Sequence, residues 1–329
     1  MKDKAHIGIL TIQNDLHALT IKKYFENHED IVCSIIETNS ICNQSSLSWS
    51  NIDEKDFRCT ITNNEGGKIN VNELDVIWWR RFNSPQILPD YVTDSRHIDV
   101  INNDCKTSLL GLLLNDFSGT WLNEPNTTNL AENKLIQLKA AQYAGFKVPC
   151  TLVSNEPARI RQFCAMLKYQ VVVKPVKGSL GVPLFTKKLA EEHLTSDESL
   201  SLSPAIYQEY ISGNKHIRAH CFGDAVYAVL IESDLLDWRQ NLDIPFSVFE
   251  LDENSKICLG KVLKVLGLKM GIFDLKLTEE GKKIWLEVNP QGQFLFTQGI
   301  SGLDLTSAFA EFLYQEAKKA FQRKVGSGA

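Results

Sequence analysis

Apolar positions recur at two periods along the chain, and the switches between them mark out its elements. The run Ile7-Gly-Ile-Leu-Thr-Ile12 predicts a strand over residues 6 to 12, and an amphipathic pattern predicts a helix over 15 to 28. β-Branched runs predict strands at 31 to 37 and 74 to 80. Alternating strand and helix patterns favour an α/β layer with a largely parallel sheet. A long helical pattern follows from Asp94 to Asn115, and Trp121-Leu-Asn-Glu-Pro125 closes the region as a loop. A second unit begins near Asn129 with a helix to Gly145, a residue suited to helix termination. Then come the extended Val148-Pro-Cys-Thr-Leu152 and a helix near Glu156 to Leu167. The polar stretch Glu191 to Ser203 reads as a surface loop or short helix.

In the second half, apolar strands carry polar residues. Val171-Val-Val-Lys-Pro-Val-Lys-Gly-Ser-Leu-Gly-Val-Pro183 delivers Lys174 at a strand end and follows it with Gly178, Ser179 and Gly181, a loop able to turn backbone N–H groups toward an anion. A point charge beside a lid of amides suits a polyphosphate; a glycine-bearing hairpin with a surface lysine is the other account. The P-loop order is absent. Ala205-Ile-Tyr-Gln-Glu-Tyr-Ile211 puts Gln208 and Glu209 where a strand becomes a linker, facing either a purine edge or solvent. Lys215 to Phe222 and Ala225 to Ile231, joined by Gly223-Asp224, read as a hairpin.

Gly271-Ile-Phe-Asp-Leu-Lys-Leu277 and Ile284-Trp-Leu-Glu-Val-Asn289 form a second antiparallel pair. Asp274, Glu287 and Asn289 then share a face as hard oxygen ligands, which suits Mg²⁺ held jointly with phosphates. A strand carboxylate neutralised by Arg218 or Arg239 is the alternative. Pro290 and Gly292 stop the strand and turn Gln293 and Phe294-Leu-Phe296 toward the same place.

Composition narrows the setting. Apolar residues at 43%, charged residues at 23% and a net charge of -5 over 329 residues describe a soluble globular protein without the global basic surface of a nucleic-acid binder. The 8 cysteines have no metal or redox spacing and read as small hydrophobes of a reducing cytoplasm. The 7 histidines show no metal spacing either. The apolar runs at Ile7 and Leu109 are too short to span a membrane, so a cytoplasmic location is expected. Val325-Gly-Ser-Gly-Ala329 reads as a flexible tail.

Taken in order, Lys134 in Asn133-Lys-Leu, Lys174-Pro with its glycine loop, Gln208-Glu209, Arg218, Asp274 and Glu287-Val-Asn289 resemble the ATP-grasp ligases over residues 129 to 315. Val76-Ile-Trp-Trp-Arg-Arg81, Asp237-Trp-Arg239 and Glu287-Val-Asn-Pro-Gln-Gly-Gln-Phe-Leu-Phe296 carry the likeness over nearly the whole chain to the graspetide synthetases, the microviridin-type maturases of ribosomal peptides. The resemblance implies an α/β (α+β) ATP-grasp fold: a pre-ATP-grasp domain over 1–125, a central subdomain over 126–212, a C-terminal subdomain over 213–324 and a tail over 325–329. It implies ATP and Mg²⁺, a precursor peptide of leader and core as partner, and a homodimer, with neither nucleic acid nor membrane. ATP would phosphorylate an Asp or Glu side chain of the peptide, and a Thr, Ser or Lys of the same peptide would displace phosphate, closing an ω-ester or ω-amide ring. An acyl-phosphate route needs no enzyme nucleophile, and no Gly-x-Ser-x-Gly elbow is present.

Roles follow by position in that family. Lys134 and Lys174 would contact phosphates, Gly178, Ser179 and Gly181 form the lid, and Gln208, Glu209, Tyr210 and Ile211 the adenine hinge. Asp274, Glu287 and Asn289 would hold Mg²⁺, while Arg218 and Arg239 steady the γ-phosphate and acyl-phosphate charge. Arg80, Arg81, Asp237, Trp238 and Gln293 are candidates to meet the peptide. Strand alternation would bury one Trp and one Arg of Trp78 to Arg81 and expose the other pair. Where many of these ligases carry an acidic ribose contact, Lys215 and His216 stand instead. A ligase adding glutamate to a protein tail or joining amino acids shares the nucleotide residues and is one rival; a non-catalytic nucleotide-binding protein is the other.

Overall fold

The computed structural model describes residues 4–43, 47–52, 59–82, 84–177 and 184–327. In chain order its regular elements begin with β1 (Ala5–Thr11), α1 (Leu16–Phe25), β2 (Ile31–Glu37), β3 (Leu47–Ser48), β4 (Thr60–Thr62), β5 (Lys68–Asn70), β6 (Val76–Trp79), α2 (Ser95–Asp116) and β7 (Thr120–Leu122). They continue with α3 (Pro125–Ala131), α4 (Lys134–Ala144), β8 (Thr151–Ser154), α5 (Pro157–Met166), β9 (Val171–Pro175), β10 (Lys187–Lys188), α6 (Asp197–Ser201) and β11 (Ala205–Glu209). The rest are β12 (Lys215–Phe222), β13 (Ala225–Glu232), β14 (Phe246–Phe249), α7 (Glu253–Leu266), β15 (Met270–Leu277), β16 (Lys283–Asn289), α8 (Leu295–Ser301) and α9 (Leu305–Ser327). Two compact units result, Met1–Pro125 with Asp304–Ala329, and Asn126–Leu303.

The first unit is built on the parallel sheet β2-β1-β6-β7. Parallel strands are covered on both faces, which is why β1 and β6 read as unbroken apolar runs. On one face α2 contributes Leu109, Leu112 and Leu113 to a core with Ile36, Ile77 and Trp79; α9 packs against β1, β6 and β7 through residues such as Phe309. This double cover overturns the expected alternation at Trp78 to Arg81. Both tryptophans are buried, Trp78 against Phe309 and Trp79 against Phe82.

Arg80 is also buried, and both it and the half-exposed Arg81 turn to one carboxylate: their Nε atoms lie 3.1 Å and 3.2 Å from Asp15. Asp15 additionally caps α1 by accepting from the backbone N–H of His17 and Ala18. Burial alone would push its carboxyl up, but the Arg80 charge and the helix N–H bonds outweigh burial and hold it below the usual range.

Residues 304–324, expected with the C-terminal subdomain, instead group with the first unit, because α9 presents its apolar stripe to the parallel sheet. The expected tail also changes, since α9 continues to Ser327. The single helix expected over 129 to 145 is two, because the Asn133 side chain accepts from Leu135 and Ile136 N–H and starts α4 afresh. Gly145 does end α4, at φ 103°.

The second unit holds two antiparallel sheets, β10-β9-β11-β8 and β14-β13-β12-β15-β16. Helices α4 and α7 bury one face of the larger sheet, where Ile217, Ala219, Phe273, Leu275 and Trp285 meet Leu259 and Val262. The polar residues of the same strands point the other way. Among the described residues no helix is long and apolar enough to cross a membrane.

Asp15→Asn keeps a capping side chain but removes the carboxylate charge from Arg80 and Arg81, and should destabilise the protein by about 3–5 kcal/mol, read from urea unfolding at pH 7. The wild-type advantage is present above the ordinary carboxyl pKa of about 4 and lost as pH falls through the lower folded value, so the two curves should converge in acid.

Candidate active site

A cleft of about 550 Å³ in the second unit is lined by the polar face of the larger sheet, by Lys174 of β9, by Gln208 to Ile211, by Leu236 to Arg239 and by Lys134, the first residue of α4. Its floor is made by cross-strand pairs. Arg218 of β12 lies opposite Asp274 of β15, and Asp274 lies opposite Glu287 of β16. A β-bulge sets that last pairing: Asp274 faces Glu287, but the next residue, Leu275, faces Trp285, so Leu286 is the extra residue. Leu286 and Glu287 both reach the cleft while Trp285 and Val288 stay in the core.

Charge is concentrated around Glu287. Its Oε2 is 3.5 Å from Lys134 Nζ and its Oε1 is 3.8 Å from Arg239 Nη1. Burial pushes its carboxyl up, but Lys134, Lys174 and Arg239 outweigh burial and hold it below the usual range. Lys174 has no ion pair among the described residues; burial lowers its pKa to about 8, with Glu287 opposing and Lys134 and Arg239 adding to the shift. Asp274 is pushed the other way, up, by burial and by the Glu287 charge, against the pull of Arg218. Arg218 Nη1 sits 2.8 Å from both Asp274 oxygens, and its guanidinium lies beside the neighbouring rings of Trp238 and Phe296, 5.5 Å and 5.3 Å from their centroids. That contact is the alternative account of a strand carboxylate, realised at Asp274. Arg239 forks onto the buried Asp237, which also accepts the Arg239 N–H. That bond raises the Arg239 pKa further.

The remaining expected residues fall as follows. Gln208 is buried and donates to Thr151 Oγ1, and Glu209 accepts from Cys150 N–H at 3.0 Å. The Glu209 and Tyr210 amides donate to Cys150 and Gln170 carbonyls, whereas the Ile211 N–H has no acceptor among the described residues. Asn289 is exposed and accepts from Gln291 N–H at 3.0 Å; it does not line the cleft. The Gln293 carbonyl accepts from Arg218 Nη2 at 3.4 Å. Close behind β16, Gly292 leaves no room for a side chain, since a Cβ there would meet Ile272 at 2.7 Å. Arg80 and Arg81 belong to the first unit and carry the contacts to Asp15 already described. The glycine lid, Gly178, Ser179 and Gly181, lies outside the described residues.

The RimK-like ATP-grasp domain family matches residues 131–313, the span that supplies every one of these cleft residues. The chain belongs to that family. A probable alpha-L-glutamate ligase of Mannheimia succiniciproducens is 25% identical over 199 residues, 58% of this chain, and the chain spans only 66% of that relative's length. The macrocyclase MdnC of Microcystis aeruginosa MRC, solved with precursor peptide MdnA, superposes with a TM-score of 0.82 at 24% identity, covering 94% of this chain and 99% of that one. The Chryseobacterium gregarium RiPP-associated ATP-grasp ligase, solved with ADP and a leader and core peptide, gives 0.83 at 22% identity over 95% and 97%. The fold is therefore ATP-grasp.

The ATP-grasp cleft suits a Mg²⁺ ion shared with phosphates. Among the described residues no three His, Cys, Asp or Glu side chains converge as a full cage. Asp274 and Glu287 do converge, and Mg²⁺ characteristically takes one or two carboxylates plus substrate phosphates and water.

Two features of this ATP-grasp site were not legible as sequence signals. One is the bulge at Leu286. The other is Gln137, buried in α4, whose amide donates to the Ala131 and Val288 carbonyls and accepts from Val288 N–H at 3.1 Å. Gln137 thus clamps the helix bearing Lys134 to the strand bearing Glu287; a polar residue on the inner face of an amphipathic helix was its only trace. Gln137→Leu leaves Val288 N–H and C=O buried without those partners, about 1–3 kcal/mol for each unsatisfied group, which thermal or urea unfolding would register.

Proposed function

We propose that the cleft binds ATP with Mg²⁺ and activates a side-chain carboxylate of a precursor peptide, leading to intramolecular ω-ester or ω-amide rings. The observation that carries the reading is the convergence of Lys134, Lys174 and Arg239 on Glu287 beside Asp274, a cationic pocket with two oxygen ligands in an ATP-grasp fold. A bound Mg²⁺ would neutralise charge on the phosphates. Lys134 and Lys174 hold phosphate oxygens, and Arg239, fixed by Asp237, is aimed where charge gathers on the transferring phosphoryl group. Arg218, packed against two neighbouring rings and bound to Asp274, positions that carboxylate. The Ile211 N–H is the hinge donor open to a purine edge. Phosphoryl transfer from ATP gives ADP and an acyl phosphate; attack by a Thr or Ser hydroxyl, or a Lys amine, releases phosphate and the nucleophile's proton.

Support for a peptide substrate comes from the solved neighbours crystallised with precursor peptides, which match the chain over both units. The glutamate-ligase relative favours a second reading, in which a free amino acid is added to an acceptor tail. Incubating the protein with ATP, Mg²⁺ and the peptide encoded beside its gene separates the two by mass: loss of one water per ring is expected, and gain of a glutamyl residue would replace the cyclase reading. ADP formation without any change in the peptide would reject both.

Glu287→Gln should lower peptide-dependent ADP release by on the order of 100-fold or more while circular dichroism stays unchanged. Retained turnover would remove Glu287 from the metal site.

A further inference from the structure

Beyond the residues assigned so far, the cleft floor holds a second buried pair. His216 of β12 and Lys276 of β15 face each other across the strands, each 5% exposed, with Lys276 Nζ 2.9 Å from His216 Nε2. They lie one side-chain row along the same sheet face from Arg218 and Asp274, a step of about 7 Å, and both line the cleft. No carboxylate accompanies the ammonium among the described residues. Burial and the neighbouring lysine hold His216 near pKa 4, so its ring is neutral. An ammonium donating to Nε2 leaves the ring proton on Nδ1, and that buried Nδ1 has no acceptor among the described residues. The pair therefore offers only donors, carries one uncompensated positive charge, and borders a site already shaped for phosphates. What completes it is an anionic oxygen.

We propose that His216 and Lys276 form a third phosphate-contacting position of this cleft, taking an oxygen of the nucleotide's α-phosphate. The proposal rests on the nucleotide reading above. With the terminal phosphates over the Asp274 and Glu287 row and the purine at Gln208 to Ile211, the intermediate row falls beside the α-phosphate.

The test is calorimetric binding of ADP and of adenosine, each with Mg²⁺, to the wild type and to Lys276→Met, a change of similar length that removes the charge. ADP affinity should fall on the order of 10-fold or more, as expected for a charged hydrogen bond, while adenosine affinity is unchanged. Without nucleotide the variant should melt at or above the wild type, because a buried charge lacking a counter-ion is removed. Equal ADP affinity in the two proteins would overturn the proposal. So would an equal loss for adenosine and ADP, which would place the contact at the sugar or base, or a lower melting temperature of the ligand-free variant. Failure of the wild type to bind ADP at all would instead reject the nucleotide site itself.

Discussion

The convergence of Lys134, Lys174 and Arg239 on Glu287 is the constraint around which the second unit is arranged. Like charges drawn this close repel, and one carboxylate offsets them only in part; the lowered pKa of Lys174 records the residue of burial and repulsion that Glu287 does not cancel. Such a pocket has a standing deficit of negative charge. A polyphosphate would supply it at groups already held in place, which is the physical content of preorganisation.

Holding charged groups in that arrangement requires a rigid support, and the larger sheet provides it by dividing its faces. Ile217, Ala219, Phe273, Leu275 and Trp285 pack against α4 and α7, so the residues between them are forced toward the cleft. The bulge at Leu286 then brings Glu287 level with Asp274 without exposing Trp285. Gln137 ties the helix that carries Lys134 to the strand that carries Glu287, so that the cation and its anion are fixed by one amide. Arg218 packs against the neighbouring rings of Trp238 and Phe296, and the short run after the strand stop thereby contributes to the site through packing on the arginine.

Much of this was readable from the chain because the chemistry sits at strand centres, where an acid or lysine in an apolar run stands out. The strand pair carrying Asp274 and Glu287, the hairpin on Gly223-Asp224 and the parallel layer of the first unit all have a clear period. What escaped depends on tertiary cover or on pairing between distant segments. Helix α7 was not anticipated despite an Asp252 cap and the terminator Gly267. The break at Asn133 was hidden by a helical pattern on both sides, and α9 was assigned by position in sequence, though its partners are some 200 or more residues earlier. His216 and Lys276 look like unrelated surface residues until the register sets them opposite each other.

The two arginine groupings differ in how far their charge is already compensated. Arg80 and Arg81 stand in a conspicuous Trp-Trp-Arg-Arg tetrad, where Asp15 engages both and also caps α1; Arg80 is buried, while the Arg81 side chain stays 39% exposed. Arg239 is likewise paired, with Asp237, but its side chain is 48% exposed and its outer nitrogen reaches across the cleft to Glu287. A paired arginine that keeps one edge open to a cleft can still meet an incoming anion; one buried past the end of an inner parallel strand serves chiefly to balance a buried acid. Availability of charge, more than its presence, thus separates Arg239 at the cleft from the buried Arg80.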